Sequence, residues 1–471
     1  MFADVLNDEF LLAAAERTRL YLEKVVERWD QPQPQLFVEG IDDGPLAYFF
    51  EEDIDDALLA NVSADDIREV IGELGRASVE LQNERGRETA RICIPSIPIL
   101  AILQSQLTEA FELRPDAYAR LDDDIVDWQI PEDIDAMLGG MVVMDLFGRY
   151  AVARPWYLGD PRWLWMKVVV SWYKFKKKVT FGGLPKRPVT IAHNARIILV
   201  GDWGSGLRRA QDVAGKIQVI LKKGFAEGKE QHVIHLGDVY YTGSKKEYKD
   251  NFLPYWPVNQ GEPVGSFIVC GNHDMYRGGH DYYGTALADA RFARQDHKSV
   301  FALRNDNWQF LGLDTAYDEK QLSNGQDKWI RDQLDTAGNR RTTILSHHPL
   351  WSTYKQEAGE ELRNQIGPVL DDRRIDAWFW GHEHRCVVYN SRNPVDFTSC
   401  VGHGGIPSYL TAAEGDPYPP HMKYEYRQRY GHSFEPWNTF GFAVIDLDGR
   451  NMHIRYINEF GKVHWREHLP G

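Results

Sequence analysis

The sequence predicts an α/β unit over residues 195–471, preceded by an acidic, mainly helical region over 1–150. Three observations carry this reading. From Ala195 onward, short β-rich runs (RIILVGD, HVIHLGD, SFIVCGNHD, WQFLGLDT, TTILSHHP, IDAWFWGHEH) are followed by turn residues or helical stretches. Continuous apolar strands between helices read as buried sheet. Before that point the apolar residues recur with the 3.6-residue period of helices. Charge is also divided unevenly. Residues 1–150 hold 33 acidic and 12 basic residues, a net of −21, residues 151–190 a net of +8, and the remainder a net of −2. A break in charge of this kind marks a boundary, here a connecting segment over 151–194.

A first helix is predicted from Asp8 to about Trp29, where Leu11, Leu12, Ala15, Leu20, Leu22, Val25 and Val26 recur near the 3.6-residue period and QPQPQ (31–35) ends the pattern. Ser63 and Asp66 form a capping pair ahead of Ile67, Val70, Ile71 and Leu74. Pro98 opens a third apolar run, Ile99 to Phe111. The acidic block Leu121–Asp135 reads as solvated surface. In Pro155–Val179, Trp156, Trp163, Trp165, Trp172 and Tyr173 interleave with Lys167, Lys174 and Lys176–Lys178. Two readings stand for 155–179. One is peripheral contact with anionic lipid. The other, favoured because aromatic runs usually pack and charge runs are usually solvated, is a core-filling helix whose lysines pair with the acidic region. Further on, helices are expected over Asp212–Leu221 and Gln326–Leu334, and FGFAVIDLDGRNMHIRYI reads as two strands around an Asp-Gly turn.

Composition excludes several classes. A chain of 471 residues with 43% hydrophobic and 12% aromatic content is globular and long enough for two domains. Its basic cluster is short and adjoins a strongly acidic region, so no nucleic-acid footprint is expected. Cys93, Cys270, Cys386 and Cys400 show no CxxC pairing, which reads as reduced thiols. The opening MFADVLNDEF lacks a basic leader, and no apolar run reaches the roughly 20 residues of a membrane span. A cytoplasmic location is the expectation.

The chemistry lies at strand ends. Asp202, Asp238, Asn272, His347, His382 and His384 each sit at or just beyond the end of a predicted strand, and in an open α/β sheet those ends converge on one crevice. Gly201, Gly237, Gly271 and Gly381 precede four of them and are expected to permit the sharp turn. A lone Asp after Gly is usually a turn residue, and a lone His is usually a satisfied core residue. Five such elements, each at a strand end, point instead to a site.

The blocks GDWG (201–204), GDVYY (237–241), GNHD (271–274), SHHP (346–349) and GHEH (381–384) resemble the calcineurin-type metallophosphoesterase superfamily, and most closely its purple acid phosphatase branch. Gly204 stands where many relatives carry a metal-binding His, and Tyr241 follows Asp238 by three residues. The resemblance covers roughly 195–447. It implies a double β-sandwich flanked by helices (αββα) and a binuclear metal centre. Asp202, Asp238, Tyr241 and His384 would hold the first metal, and Asp238, Asn272, His347 and His382 the second, with Asp238 bridging. Tyr240, beside Tyr241, stays open as the donor, and His348 ranks below His347.

A tyrosinate suits Fe³⁺, while amide and imidazole suit Fe²⁺, Zn²⁺ or Mn²⁺. The implied reaction is in-line attack of metal-activated hydroxide on phosphorus. His273 would protonate the leaving alkoxide or hold the phosphoryl oxygen, with Asp274 orienting it. Arg277 and His280, after GNHD, either reach a phosphate or sit at the surface, the second being favoured. His403, in CVGHGGIP, is either a substrate contact or a plain turn residue, and His235 reads as structural. The expected activity is phosphomonoester hydrolysis on a phosphorylated small molecule or phosphoprotein. The alternatives are a phosphodiesterase on the same metals, or a non-catalytic regulator that binds a phosphorylated ligand.

Overall fold

The computed structural model describes residues 8–29, 62–85, 96–110, 141–144, 150–153, 162–354, 359–370, 375–410, 412–430 and 437–471. The chain divides into two compact units, Met1–Lys177 and Lys178–Gly471.

In the first unit, helices α1 (Asp8–Trp29), α2 (Ala64–Arg85), α3 (Pro98–Ala110) and α4 (Arg162–Lys176) share one core. Leu11, Leu22, Ile67, Val70, Leu74, Ile99, Leu103 and Val168 are buried in it, each from the apolar stripe of its own helix. The cap read from the sequence starts α2. The Ser63 N–H donates to Asp66 Oδ2 at 2.8 Å, and the Asp66 N–H donates back to Ser63 Oγ at 3.2 Å. A hairpin of β1 (Met141–Met144) and β2 (Tyr150–Ala153) was not anticipated. The block 121–135, the stretch 31–35 and Trp156 lie outside the described residues.

The connecting segment expected over 151–194 is not one piece. Helix α4 puts Val168, Val169 and Trp172 into the helical core, and Lys176 pairs with Glu69 at 2.8 Å, as the packing reading requires. Its later part belongs to the second unit. There Lys178 pairs with Asp318 at 2.9 Å, and β3 (Val189–Thr190) extends a sheet. No described helix is long and apolar enough to cross a membrane.

The second unit is a sandwich. Strands β4 (Arg196–Val200), β5 (Gln231–His235) and β6 (Val264–Ile268) run parallel, joined on the β4 side by β14 (Gly441–Asp448), β15 (Asn451–Asn458) and β16 (Val463–Leu469). The second sheet has the order β13-β11-β12-β10-β9-β8-β7-β3. Its strands are β7 (Phe301–Arg304), β8 (Trp308–Gly312), β9 (Arg341–Ser346), β10 (Ile375–Trp380), β11 (Cys386–Tyr389), β12 (Val395–Val401) and β13 (Met422–Glu425). Alternation sorts the faces. Ile197, Leu199, Ile234 and Phe267 of one sheet meet Phe301, Phe310, Leu345 and Phe379 of the other in one core. On the outer face Leu311, Ile344, Trp378 and Trp380 pack against Trp329 and Ile330 of α5 (Gln326–Asp335) and Leu362 and Ile366 of α6 (Glu360–Leu370). Helix α7 (Arg208–Ala226) connects β4 to β5 and buries Val213, Ala214, Ile217 and Leu221. The terminal hairpin turns at Gly449, as DLDG suggests, with Asp448 opposite Asn451. This is the αββα fold.

Each unit has its own core, so a chain beginning at Lys178 is expected to fold and to bind metal like the full protein. Size-exclusion chromatography with metal analysis checks this. Aggregation of the fragment would show that the sandwich needs residues 1–177.

Candidate metal centre

Parallel strands bring the predicted loops to one edge. Asp202 follows β4, Asp238 follows β5, Asn272 follows β6, His347 follows β9, and His382 and His384 follow β10. Four of these residues have positive φ: Asp202 (53°), Asp238 (73°), His382 (68°) and His384 (50°). A side chain in that region costs about 1–2 kcal/mol, and such strain concentrates at functional sites. The glycines therefore act differently from the expectation. Of the four, only Gly237 has positive φ, at 100°. Gly271 instead permits close approach, because a Cβ there would lie 2.1 Å from Asp238 Oδ1.

The ligand atoms form two groups that share Asp238. In the first, the Tyr240 hydroxyl lies 2.8 Å from Asp202 Oδ1, 3.2 Å from Asp238 Oδ2 and 3.0 Å from His384 Nε2. In the second, Asn272 Oδ1 is 3.0 Å from both His347 Nε2 and His382 Nδ1, which are 3.2 Å apart, and His347 Nε2 is 3.3 Å from Asp238 Oδ2. Neighbouring groups fix these orientations. His347 Nδ1 donates to the Leu236 carbonyl at 2.8 Å, which turns Nε2 inward. Asn272 Nδ2 donates to the Tyr276 hydroxyl at 2.7 Å, which turns Oδ1 inward.

No placement of protons satisfies all three contacts among His347 Nε2, His382 Nδ1 and Asn272 Oδ1. One proton leaves a pair of lone pairs facing, and two protons face each other. A cation among them resolves the conflict, and the donors suit a borderline divalent ion. Carboxylates, a phenol and an imidazole likewise fit a hard cation in the first group.

Electrostatics follow from burial and neighbours. Burial is the largest influence on Asp202 and pushes its carboxyl well up. Burial acts in the same sense on Asp238, but His347 and His273 overcome it and hold Asp238 low. For His347, burial would lower the pKa, and the Asp238 charge and hydrogen bond instead raise it to about 9. Burial, then Asp202 and Asp238, push the Tyr240 phenol well up.

Two expectations need correction. The tyrosine in the cluster is Tyr240, not Tyr241. The Tyr240 N–H donates to the Gly204 carbonyl at 3.0 Å beside the Gly204–Val239 bridge, which aims its ring at the ligands. Tyr241 enters through its backbone: its N–H donates to Glu247 Oε1 at 2.5 Å, and its carbonyl faces His273 Nδ1 at 2.6 Å. The Ser244–Glu247 capping box, legible in SKKE, is the signal that places this loop.

Asp274 does not hold the His273 ring, which the Tyr241 carbonyl holds. Its carboxylate instead accepts from the N–H groups of Asp238 (3.0 Å), Val239 (3.2 Å) and Gly271 (2.7 Å) and from the Tyr248 hydroxyl (2.5 Å). Asp274→Ala is therefore expected to destabilise the fold by about 3 kcal/mol or more, because buried donors lose their partner. Urea unfolding measures this. A variant of unchanged stability that is merely slow would restore the ring-orienting role.

His403 lies in another buried group, with Cys386 and His464, and not among these ligands. Arg277 is 4% exposed with its Nε unpartnered, so it is buried and not placed at the surface. His348, ranked low from sequence, is grouped with His347 and His382. Its Nδ1 is 3.0 Å from Thr315 Oγ1, and its Nε2 is buried without a partner. His235 is structural as expected, packed among Trp203, Phe252 and Trp256.

Residues 195–386 match the family model for calcineurin-like phosphoesterases. Human (Homo sapiens) tartrate-resistant acid phosphatase type 5 is 20% identical over 321 residues, 58% of this chain and 90% of that protein. Purple acid phosphatase 7 of Arabidopsis thaliana is 24% identical over 243 residues, 46% of this chain and 69% of that protein. A purple acid phosphatase structure from yellow lupin (Lupinus luteus) seeds aligns with a TM-score of 0.43 at 16% identity, over 60% of this chain and 54% of that one. That family implies a binuclear metal centre and phosphorylated substrates. Residues 195–386 are thus a calcineurin-like phosphoesterase domain, similar in sequence to purple acid phosphatases, which supports a metal-dependent phosphoester hydrolase.

Proposed function

We propose that this protein is a binuclear phosphomonoesterase with Fe³⁺ beside Tyr240 and Fe²⁺, Zn²⁺ or Mn²⁺ beside Asn272. The observation that carries the reading is the pair of donor groups sharing Asp238. Asp202, Tyr240 and His384 stand on one side of it, and Asn272, His347 and His382 on the other. A carboxylate whose Oδ2 meets both groups can hold two cations at the roughly 3.5–4 Å used in two-metal hydrolysis. Bound there, such a pair supplies a nucleophile from water at neutral pH and polarises phosphoryl oxygens.

The chain's own residues supply orientation and the proton. His273 rides on the backbone beside the bridge, since its N–H donates to Asp238 Oδ1 at 2.9 Å. Its Nδ1 donates to the Tyr241 carbonyl, which leaves Nε2 to carry the proton to the leaving oxygen. Tyr240 and Tyr276 flank the ring with centroids 4.6 and 4.7 Å away, so its plane is set before substrate arrives. Burial lowers its pKa, and the Asp238 charge opposes that, helping a proton to stay on the ring.

His273→Ala is expected to lower kcat about 100-fold or more on an alkyl phosphate, and much less on an aryl phosphate, whose leaving group needs no acid. Equal losses on both would remove the acid role. A panel of mono- and diesters on the iron-loaded protein tests the substrate class. Preference for a diester would replace the phosphomonoesterase reading with the diesterase one.

A further inference from the structure

We infer that Cys386, His403 and His464 form a second, sulfur-containing metal site that takes Zn²⁺ or a similar thiolate-seeking divalent ion. One ligand atom of each residue lies within 4.8 Å of the other two. The three come from separate parts of the sandwich. Cys386 opens β11 of the eight-stranded sheet, His403 follows β12, and His464 sits near the start of β16 in the six-stranded sheet.

Unpartnered imidazoles point to a ligand. His403 is 1% exposed, and neither of its ring nitrogens has a hydrogen-bond partner. His464 Nδ1 lies 2.9 Å from the Tyr424 hydroxyl, while its Nε2 is buried and unpartnered. That pattern, one nitrogen held by a neighbour and the other left open, is how metal-ligating histidines are oriented. Buried polar atoms without partners are rare and call for a reason. Tyr426 stacks on His464 at 3.7 Å and 11°, fixing the ring. The Tyr426 hydroxyl is committed to Gln428 and Asn458 and is not offered to His403. Gly441 keeps space beside His403, since a Cβ there would come within 2.6 Å of Nε2.

The donor set selects the ion. A thiolate with two neutral imidazoles suits zinc, with S and N ligands at about 2.3 and 2.0–2.1 Å. Tetrahedral closure brings sulfur and nitrogen to about 3.5 Å, inside the 4.8 Å that spans the three ligand atoms here. Binding replaces the Cys386 S–H bond by a sulfur–metal bond and releases that proton to solvent. Such a clip would tie the two sheets, because metal affinity at a site absent from the unfolded chain is folding free energy.

The phosphoesterase ligands include no sulfur, so the two sites can be read apart. Metal-free full-length protein is titrated with Co²⁺. The expected result is a near-ultraviolet thiolate-to-cobalt charge-transfer band that Cys386→Ser abolishes, with one equivalent of metal lost and phosphatase activity kept. His464→Gln, at a partly exposed position, should give the same loss and serves if Cys386→Ser fails to fold. Absence of the band in the wild type, its survival in Cys386→Ser, or an unchanged metal count in both variants would overturn the site.

Discussion

Replacing Asp238 by alanine is expected to remove both catalytic metals and to lower hydrolysis of an aryl phosphate by at least about 10³-fold. Loss of a single oxyanion donor already costs 10²–10³ in other enzymes, and Asp238 touches both ligand groups. It also anchors the acid, since the His273 N–H donates to its Oδ1 at 2.9 Å. Without the carboxylate, the lone pairs of His347, His382 and Asn272 face one another with no anionic group to hold a cation between them. Asp202→Ala is the control. Asp202 meets Tyr240 and His384 through Oδ1, while its Oδ2 accepts the His382 N–H at 2.7 Å, so its loss should empty the first position and only weaken the second. Metal analysis of both variants decides the point. One equivalent retained by Asp238→Ala would show that Asp238 is a terminal ligand and not a bridge.

The site was legible because its ligands obey a local rule: a β-rich run, a glycine or two, then the ligand. Asp202, Asp238, Asn272 and His382 follow it, His347 comes straight after Ser346 of its strand and His384 two residues after His382, and parallel strands do the rest. What failed was side-chain direction within a loop. Tyr240 and Tyr241 are adjacent and identical, so residue type cannot separate them. The choice rests on the Gly204–Val239 bridge and on Glu247, whose carboxylate accepts the N–H groups of Tyr241, Thr242 and Ser244. The Glu247 contacts are local and legible in SKKE, but the Gly204–Val239 bridge joins residues far apart in the chain and leaves little trace in composition.

Asp274 was misread for a similar reason. Adjacency to His273 suggested a side-chain pair, but four buried donors compete for that carboxylate, three of them backbone N–H groups. In the first unit the long helices showed in their periodicity. The hairpin of MVVM and YAVA did not, because four-residue apolar runs fit helix and strand equally well.

Tyr240→Phe is expected to leave an iron-loaded protein colourless, while Tyr241→Phe keeps a visible tyrosinate-to-Fe³⁺ band. The hydroxyl removed in the first variant sits among Asp202, Asp238 and His384, the groups that would surround the trivalent ion. An anionic oxygen there is the hard donor that such an ion prefers, and Gly204 contributes no imidazole in its place. Tyr241 meets the site through its backbone, and those bonds to Glu247 and His273 survive loss of its hydroxyl. Absorption spectra of the two variants at equal iron content therefore separate the adjacent tyrosines. Colour lost in Tyr241→Phe and kept in Tyr240→Phe would reverse the assignment. A colourless, iron-free wild type with full activity would remove iron from the first position, and the shared Asp238 would then hold two divalent ions.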